Sequence, residues 1–99
     1  MIASFQIVGV LKSADLKYSE KGKPYAELKV EVRRKLWNSY DDNSLLPMIM
    51  FGKGAEAAAV IPLESTVAVT GRLNEKRGEW NGKPYSKVQL IAENVEVGA

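Results

Sequence analysis

Flat rings stand beside cations at three places in this chain, and no other pattern of residues offers as much chemistry. Arg33-Arg34-Lys35 leads to Trp37, Phe51 is followed by Lys53, and Lys76-Arg77 precedes Trp80, with Lys83 and Tyr85 just beyond. A ring presents a planar apolar face, and a cation presents charge to an anion or to the ring itself. The combination suits a ligand that carries flat surfaces and negative charge together. Each residue also has a plainer alternative, a solvated strand face for the cations and core packing for the rings.

Other chemistries are poorly served. The chain has no histidine and no cysteine, which removes the commonest general base, the commonest zinc ligands and any disulfide. Carboxylates are scattered, no Gly-rich phosphate loop is present, and Ser and Thr lack an activating base, so no enzyme, cofactor or metal site is expected. A length of 99 residues with 45% apolar and 26% charged residues fits one globular domain, 1–99. Apolar runs fall far short of the ~20 residues of a membrane helix, and the start MIASFQIVGV lacks a basic leader, so a cytosolic chain is expected. Net charge is only +2, but it is uneven: residues 1–35 hold eight Lys/Arg against four Asp/Glu, and residues 36–66 hold one against four. A local basic patch is compatible with that distribution.

The residues that must position these groups are mostly in strands. Leu46–Leu73 organises the chain, because only there does the hydrophobic period change. The apolar run Leu46–Phe51 is too short for an amphipathic helix and suits a strand buried on both faces. Its alternation, however, turns Met48 and Met50 inward and Ile49 and Phe51 outward, so Phe51 needs a ligand or a partner to cover it. Gly52 ends that run, the Ala-rich stretch Ala55–Ala59 predicts a helix of about two turns, and Pro62 stops it. Thr66–Leu73 then alternates with Val67, Val69, Gly71 and Leu73 on one face.

Before this stretch, Ala3–Lys12 predicts a strand in which Gly9 permits a bend or the close approach of another backbone. Ser13–Ser19 predicts a second extended piece after a kink, and Glu20–Lys23 a turn. Pro24–Arg33 alternates Ala26, Leu28, Val30 and Val32 with Tyr25, Glu27, Lys29, Glu31 and Arg33. Glu27 and Glu31 share the outward face with Lys29 and Arg33, so either ion pairs or an anion track fits that strand. Asn38–Ser44 predicts a mobile polar loop. After it, Asn74–Lys83 predicts a projecting hairpin at about 74–84, closed by the type I′ signal Asn81-Gly82. Tyr85–Val97 predicts the last strand, with Val88, Leu90 and Ala92 on one face and Lys87, Gln89 and Ile91 on the other. Gly-Lys-Pro-Tyr occurs at 22–25 and 82–85, each time leading into a strand, which turn chemistry explains without duplication.

Five strands with a short helix between the third and fourth give an all-β chain with the topology of the OB-fold, a five-stranded Greek-key barrel. The chain resembles the bacterial and phage single-stranded DNA-binding protein family over nearly its whole length. The resemblance is carried by Ile7-Val8-Gly9-Val10-Leu11, Leu16-Lys17-Tyr18 with Gly22-Lys23, and Phe51-Gly52-Lys53 with Ala55-Glu56. Val67-Ala68-Val69-Thr70-Gly71-Arg72-Leu73 and the strand re-entry at Tyr85 complete it.

That resemblance implies sequence-tolerant binding and protection of single-stranded DNA in replication, recombination or repair. Bases would stack on Phe51, Trp37, Trp80 and Tyr85, with Tyr85 equally able to serve as structure. Phosphates would meet Lys29, Arg33, Arg34, Lys35, Lys53, Arg72, Lys76, Arg77 and Lys83. Leu45 stands where a further family aromatic is common. The resemblance also implies a homo-oligomer, dimer or tetramer, in the cytoplasm or nucleoid, or in host cytoplasm for a phage protein. Cellular members carry an acidic tail tip that recruits replication and recombination proteins, and this sequence runs to Glu96-Val97-Gly98-Ala99. Two alternatives are an OB-fold accessory of the primosomal restart kind, acting through protein docking, and an oligosaccharide-binding OB module.

Overall fold

A computed structural model of the chain describes residues 3–35 and 41–98, with the side chains at 33–35, 41 and 42 outside that description. The elements run β1 (Ser4–Tyr18), β2 (Pro24–Lys35), β3 (Asp41–Phe51), α1 (Lys53–Ala59), β4 (Thr66–Trp80) and β5 (Lys83–Val97). The strands close into a barrel in the order β1-β2-β3-β5-β4. Pairings are antiparallel except for the short parallel contact of β3 with β5. This is the predicted five-stranded OB barrel with its helix between the third and fourth strands.

Alternation decides what fills it. Leu11 of β1, Ala26, Leu28 and Val30 of β2, Met48 and Met50 of β3, Val67 and Val69 of β4 and Ala92 of β5 meet in one core. Each Val- or Leu-sized side chain buried there contributes about 1.5–3 kcal/mol. Ala55 and Ala58, three apart on one face of α1, close the barrel's end and are buried with the core. Gly9 serves as the sequence predicts: a β-carbon there would collide with the Glu31 carbonyl oxygen, so β1 and β2 approach closely only because it is absent.

Two sequence expectations need correction. The polar loop predicted over Asn38–Ser44 gives way to strand from Asp41, while residues 36–40 lie outside the described residues. The ladder runs on in unbroken register from Val32↔Ser44 to Lys35↔Asp41 despite the low strand propensity of Asp and Asn. The kink before Ser13 is a bulge within one continuous β1, where the register shifts between Leu11 and Ser13. On β5, Val88 is 63% exposed although Leu90 and Ala92 on the same face pack inward, because Val88 lies beyond the barrel's end. Ile91, on the opposite face of β5 from Leu90 and Ala92, is buried where β5 meets Ile49 of β3.

Two ladders therefore extend past the barrel. β2 and β3 continue beyond Val10↔Glu31, the outermost pairing of β1 with β2. β4 and β5 continue from Leu73 to Trp80 and from Lys83 to Leu90, beyond the outermost pairing of β4 with β1 at Ser4↔Arg72. The radius of gyration, 15.1 Å, exceeds the roughly 13 Å of a compact domain of this length. The β4–β5 arm ends in a two-residue turn, Asn81-Gly82, with φ of 51° and 77°, the positive pair of a type I′ turn.

Candidate nucleic-acid interface

Register assigns each side chain of the β4–β5 arm to a face, since residues opposite each other share one side and alternate positions change side. From barrel to tip, one face carries the pairs Arg72/Ile91, Asn74/Gln89, Lys76/Lys87, Gly78/Tyr85 and Trp80/Lys83. The other carries Leu73/Leu90, Glu75/Val88, Arg77/Ser86 and Glu79/Pro84. The first face therefore holds four cations and no carboxylate, while the second holds one cation and two carboxylates. Adjacent strand residues, Lys76 and Arg77 among them, point to opposite sides.

The cationic face is continuous with the outer face of β2 and β3. Ile91 pairs with Ile49, and Ile49 lies on the outward row of β3 with Leu45, Pro47 and Phe51. Across the ladder from that row stand Glu31, Lys29, Glu27 and Tyr25 of β2. Where the two surfaces meet, a groove of about 480 Å³ is lined by Lys29, Pro47 and Ile49 on one wall and Lys76, Tyr85, Lys87 and Gln89 on the other, with Glu27 also present.

Phe51 is 56% exposed at the end of its row, opposite Tyr25, and Trp80 is 73% exposed beside the turn. Tyr85 is 44% exposed and lines the groove wall. Lys29, Arg72, Lys76 and Lys83 are exposed on the joined outer face. Lys53 begins α1, just past Phe51. Arg77 occupies the opposite face of the arm and is bonded to Glu75. Arg33, Arg34 and Lys35 lie on the far end of β2, with side chains outside the description, and Trp37 falls outside the described residues.

The two carboxylates of β2 are engaged differently from the cations of the arm. Glu27 pairs with Lys17 at 3.2 Å, and that hydrogen bond and charge raise the Lys17 ammonium above its ordinary range. Glu31 is half-buried and also has an interaction of its own. Lys76 and Lys87, by contrast, face each other across the ladder with no ion pair to either among the described residues. Like charges in that position destabilise a strand pair by roughly 0.2–1 kcal/mol, and a bound anion relieves the repulsion.

Sequence reasoning missed Lys87 and Gly78. Both were legible from the turn: once Asn81-Gly82 is taken as a two-residue loop, Trp80 must pair with Lys83, and counting back places Lys87 opposite Lys76 and Tyr85 opposite Gly78.

Comparison with known proteins agrees with this geometry. Residues 2–97 match the single-strand binding protein family. The chain belongs to that family. A single-stranded DNA-binding protein of Fusobacterium nucleatum is 29% identical over 92 residues, covering 88% of this chain and 60% of that protein. The fold is shared with a deletion variant of the single-stranded DNA binding protein from Thermus aquaticus, at TM-score 0.74 and 20% identity, over 100% of this chain and 51% of that one. The chain thus spans about half to three fifths of the length of these relatives. Family membership agrees with the expectation that the chain is not an enzyme.

Proposed function

We propose that the chain binds single-stranded DNA without sequence preference and shields it during replication, recombination or repair. The observation that carries this reading is the cationic face of the β4–β5 arm, without an ion pair among the described residues, interleaved with Tyr85 and Trp80 and continuous with the groove. A single strand supplies phosphates for the first and base faces for the second, and each base stacked on a ring contributes about 1–3 kcal/mol without hydrogen-bond readout. Lys29, Arg72, Lys76, Lys83 and Lys87 form the main phosphate track in this reading. Lys53, Arg77, Arg33, Arg34 and Lys35 are secondary candidates. Phe51, Trp80 and Tyr85 are the stacking platforms, with Trp37 a further one.

Residues 1–99 act as one binding unit with the arm as its projecting part. A homo-oligomer in cytoplasm or nucleoid completes the proposal: Val8, 58% exposed on the outward face of β1, leaves apolar surface for a second copy to cover. Replication or recombination proteins are its expected protein partners. Titration with poly(dT) at low salt tests the binding. Tryptophan fluorescence should quench at saturation and recover as salt displaces the DNA. Absence of quenching together with tight binding to replication proteins favours the accessory alternative and overturns this one.

A further inference from the structure

The binding reading treats Tyr85 as a platform, and the arm contains a device that makes it one. Gly78 and Tyr85 are directly opposite on β4 and β5. A β-carbon at Gly78 would lie 2.5 Å from the Tyr85 hydroxyl oxygen, 2.6 Å from Cζ and 2.7 Å from Cε1, so the ring occupies the space a side chain at 78 would take. Gly78 has no positive φ, and its backbone conformation is open to any residue. Glycine is therefore needed here for the room it leaves and not for its conformational freedom.

We infer that Gly78 is a positioning residue: its bare backbone seats the Tyr85 ring across the arm, with one ring face against the chain and the other open to the groove for a base. This rests on the single-stranded DNA reading and deepens it. An exposed tyrosine otherwise samples several rotamers, and restraining it before the ligand arrives removes an ordering cost that shows as a several-fold gain in affinity. The seat also fixes the spacing of the platforms. Tyr85 follows the Lys76/Lys87 pair by one same-face step along the ladder and precedes Trp80/Lys83 by another, each step being about 6.8 Å. Cation pair, ring and ring with cation thus succeed one another on a rigid track. The small methyl group of Gly78→Ala is enough to unseat the ring, because the nearest atoms belong to the tyrosine itself.

The test is a double-mutant cycle read by dT-oligomer affinity at fixed salt, with proton NMR of the free chain. In the wild-type chain the Gly78 Hα resonances should be shifted upfield by the overlying ring, and Tyr85→Phe should preserve both that shift and the affinity. Tyr85→Leu and Gly78→Ala should each weaken binding about tenfold. In the Tyr85→Leu background, Gly78→Ala should cost nothing further, since no ring remains to be seated. A role in merely keeping the arm folded would make the loss recur in that background, which overturns the inference, as does Gly78→Ala binding like wild type or the absence of the upfield shift. A wild-type chain that fails to bind dT overturns the binding reading and this role with it, whereas tight wild-type binding with an indifferent Gly78→Ala overturns this role alone.

Discussion

Two ladders leave the same barrel and carry charge in opposite ways. On the β2–β3 arm the register sets Arg34 against Asp42 and Lys35 against Asp41, positions of opposite sign, with Arg33 against Asn43. On the β4–β5 arm it sets Lys76 against Lys87, with Arg72, Trp80, Lys83 and Tyr85 along the same face and no acid among them. Opposite charges facing each other stabilise a strand pair and like charges destabilise it, by roughly 0.2–1 kcal/mol either way. By register the first ladder alternates in sign at those positions, whereas the second sets like charges opposite each other, a repulsion that the proposed anionic ligand would relieve. Three consecutive cations near a tryptophan stand out in sequence, and the register instead favours the β4–β5 face in the binding proposed here.

The comparison can be broken most severely at the rings. Trp80→Ala should weaken dT-oligomer binding by about 1–3 kcal/mol, measured by titration at fixed salt, with little change in thermal stability because the side chain is exposed. Lys87→Glu should separate the two properties of its arm. Pairing with Lys76 should stabilise the fold by roughly 0.2–1 kcal/mol in denaturant melts, while single-stranded DNA affinity drops about tenfold or more. Asp42→Lys converts the first arm to the like-charged kind and should do the reverse, costing roughly 0.2–1 kcal/mol of stability and increasing affinity for polyanions modestly.

The smallest effect concerns Lys17. Its ammonium is raised by the hydrogen bond and charge of Glu27, so whatever stability the pair gives is complete below the unfolded lysine value of about 10.4 and is lost as pH climbs through the folded value. Glu27→Gln should lower stability slightly and evenly through the neutral range and flatten its fall only above about pH 10, a small change because both residues are exposed.

Much of this was readable before the fold. Strand alternation gave Leu28, Val30, Met48, Met50, Val67 and Val69 as core, because period-2 burial is a local consequence of the pleat. Phe51 was turned outward by the same parity, and Asn81-Gly82 declared its turn. The burial of Val88 and Ile91 was not legible, because alternation gives the side of a strand and not how far the neighbouring strands extend. Val88 continues the core face past the end of the barrel, and Ile91 is covered by a β3 contact far away in sequence. Asp41–Ser44 was hidden by polar composition, since the β2 residues it pairs with, Val32–Lys35, are not its neighbours in sequence. The segregation of Lys76 from Arg77 needed only the turn and a count.

Unbalanced charge on the outer face of the β4–β5 arm is the centre of this account, and the salt dependence of dT-oligomer binding measures it most directly. Each phosphate contact contributes a slope of about −0.7 in log affinity against log salt for a single strand. Lys76→Gln with Lys87→Gln should reduce the magnitude of the slope by about 1.4, whereas Arg34→Gln with Lys35→Gln should change it far less. An unchanged slope in the first double variant, or an equal loss in the second, would contradict the assignment of the binding face to this arm.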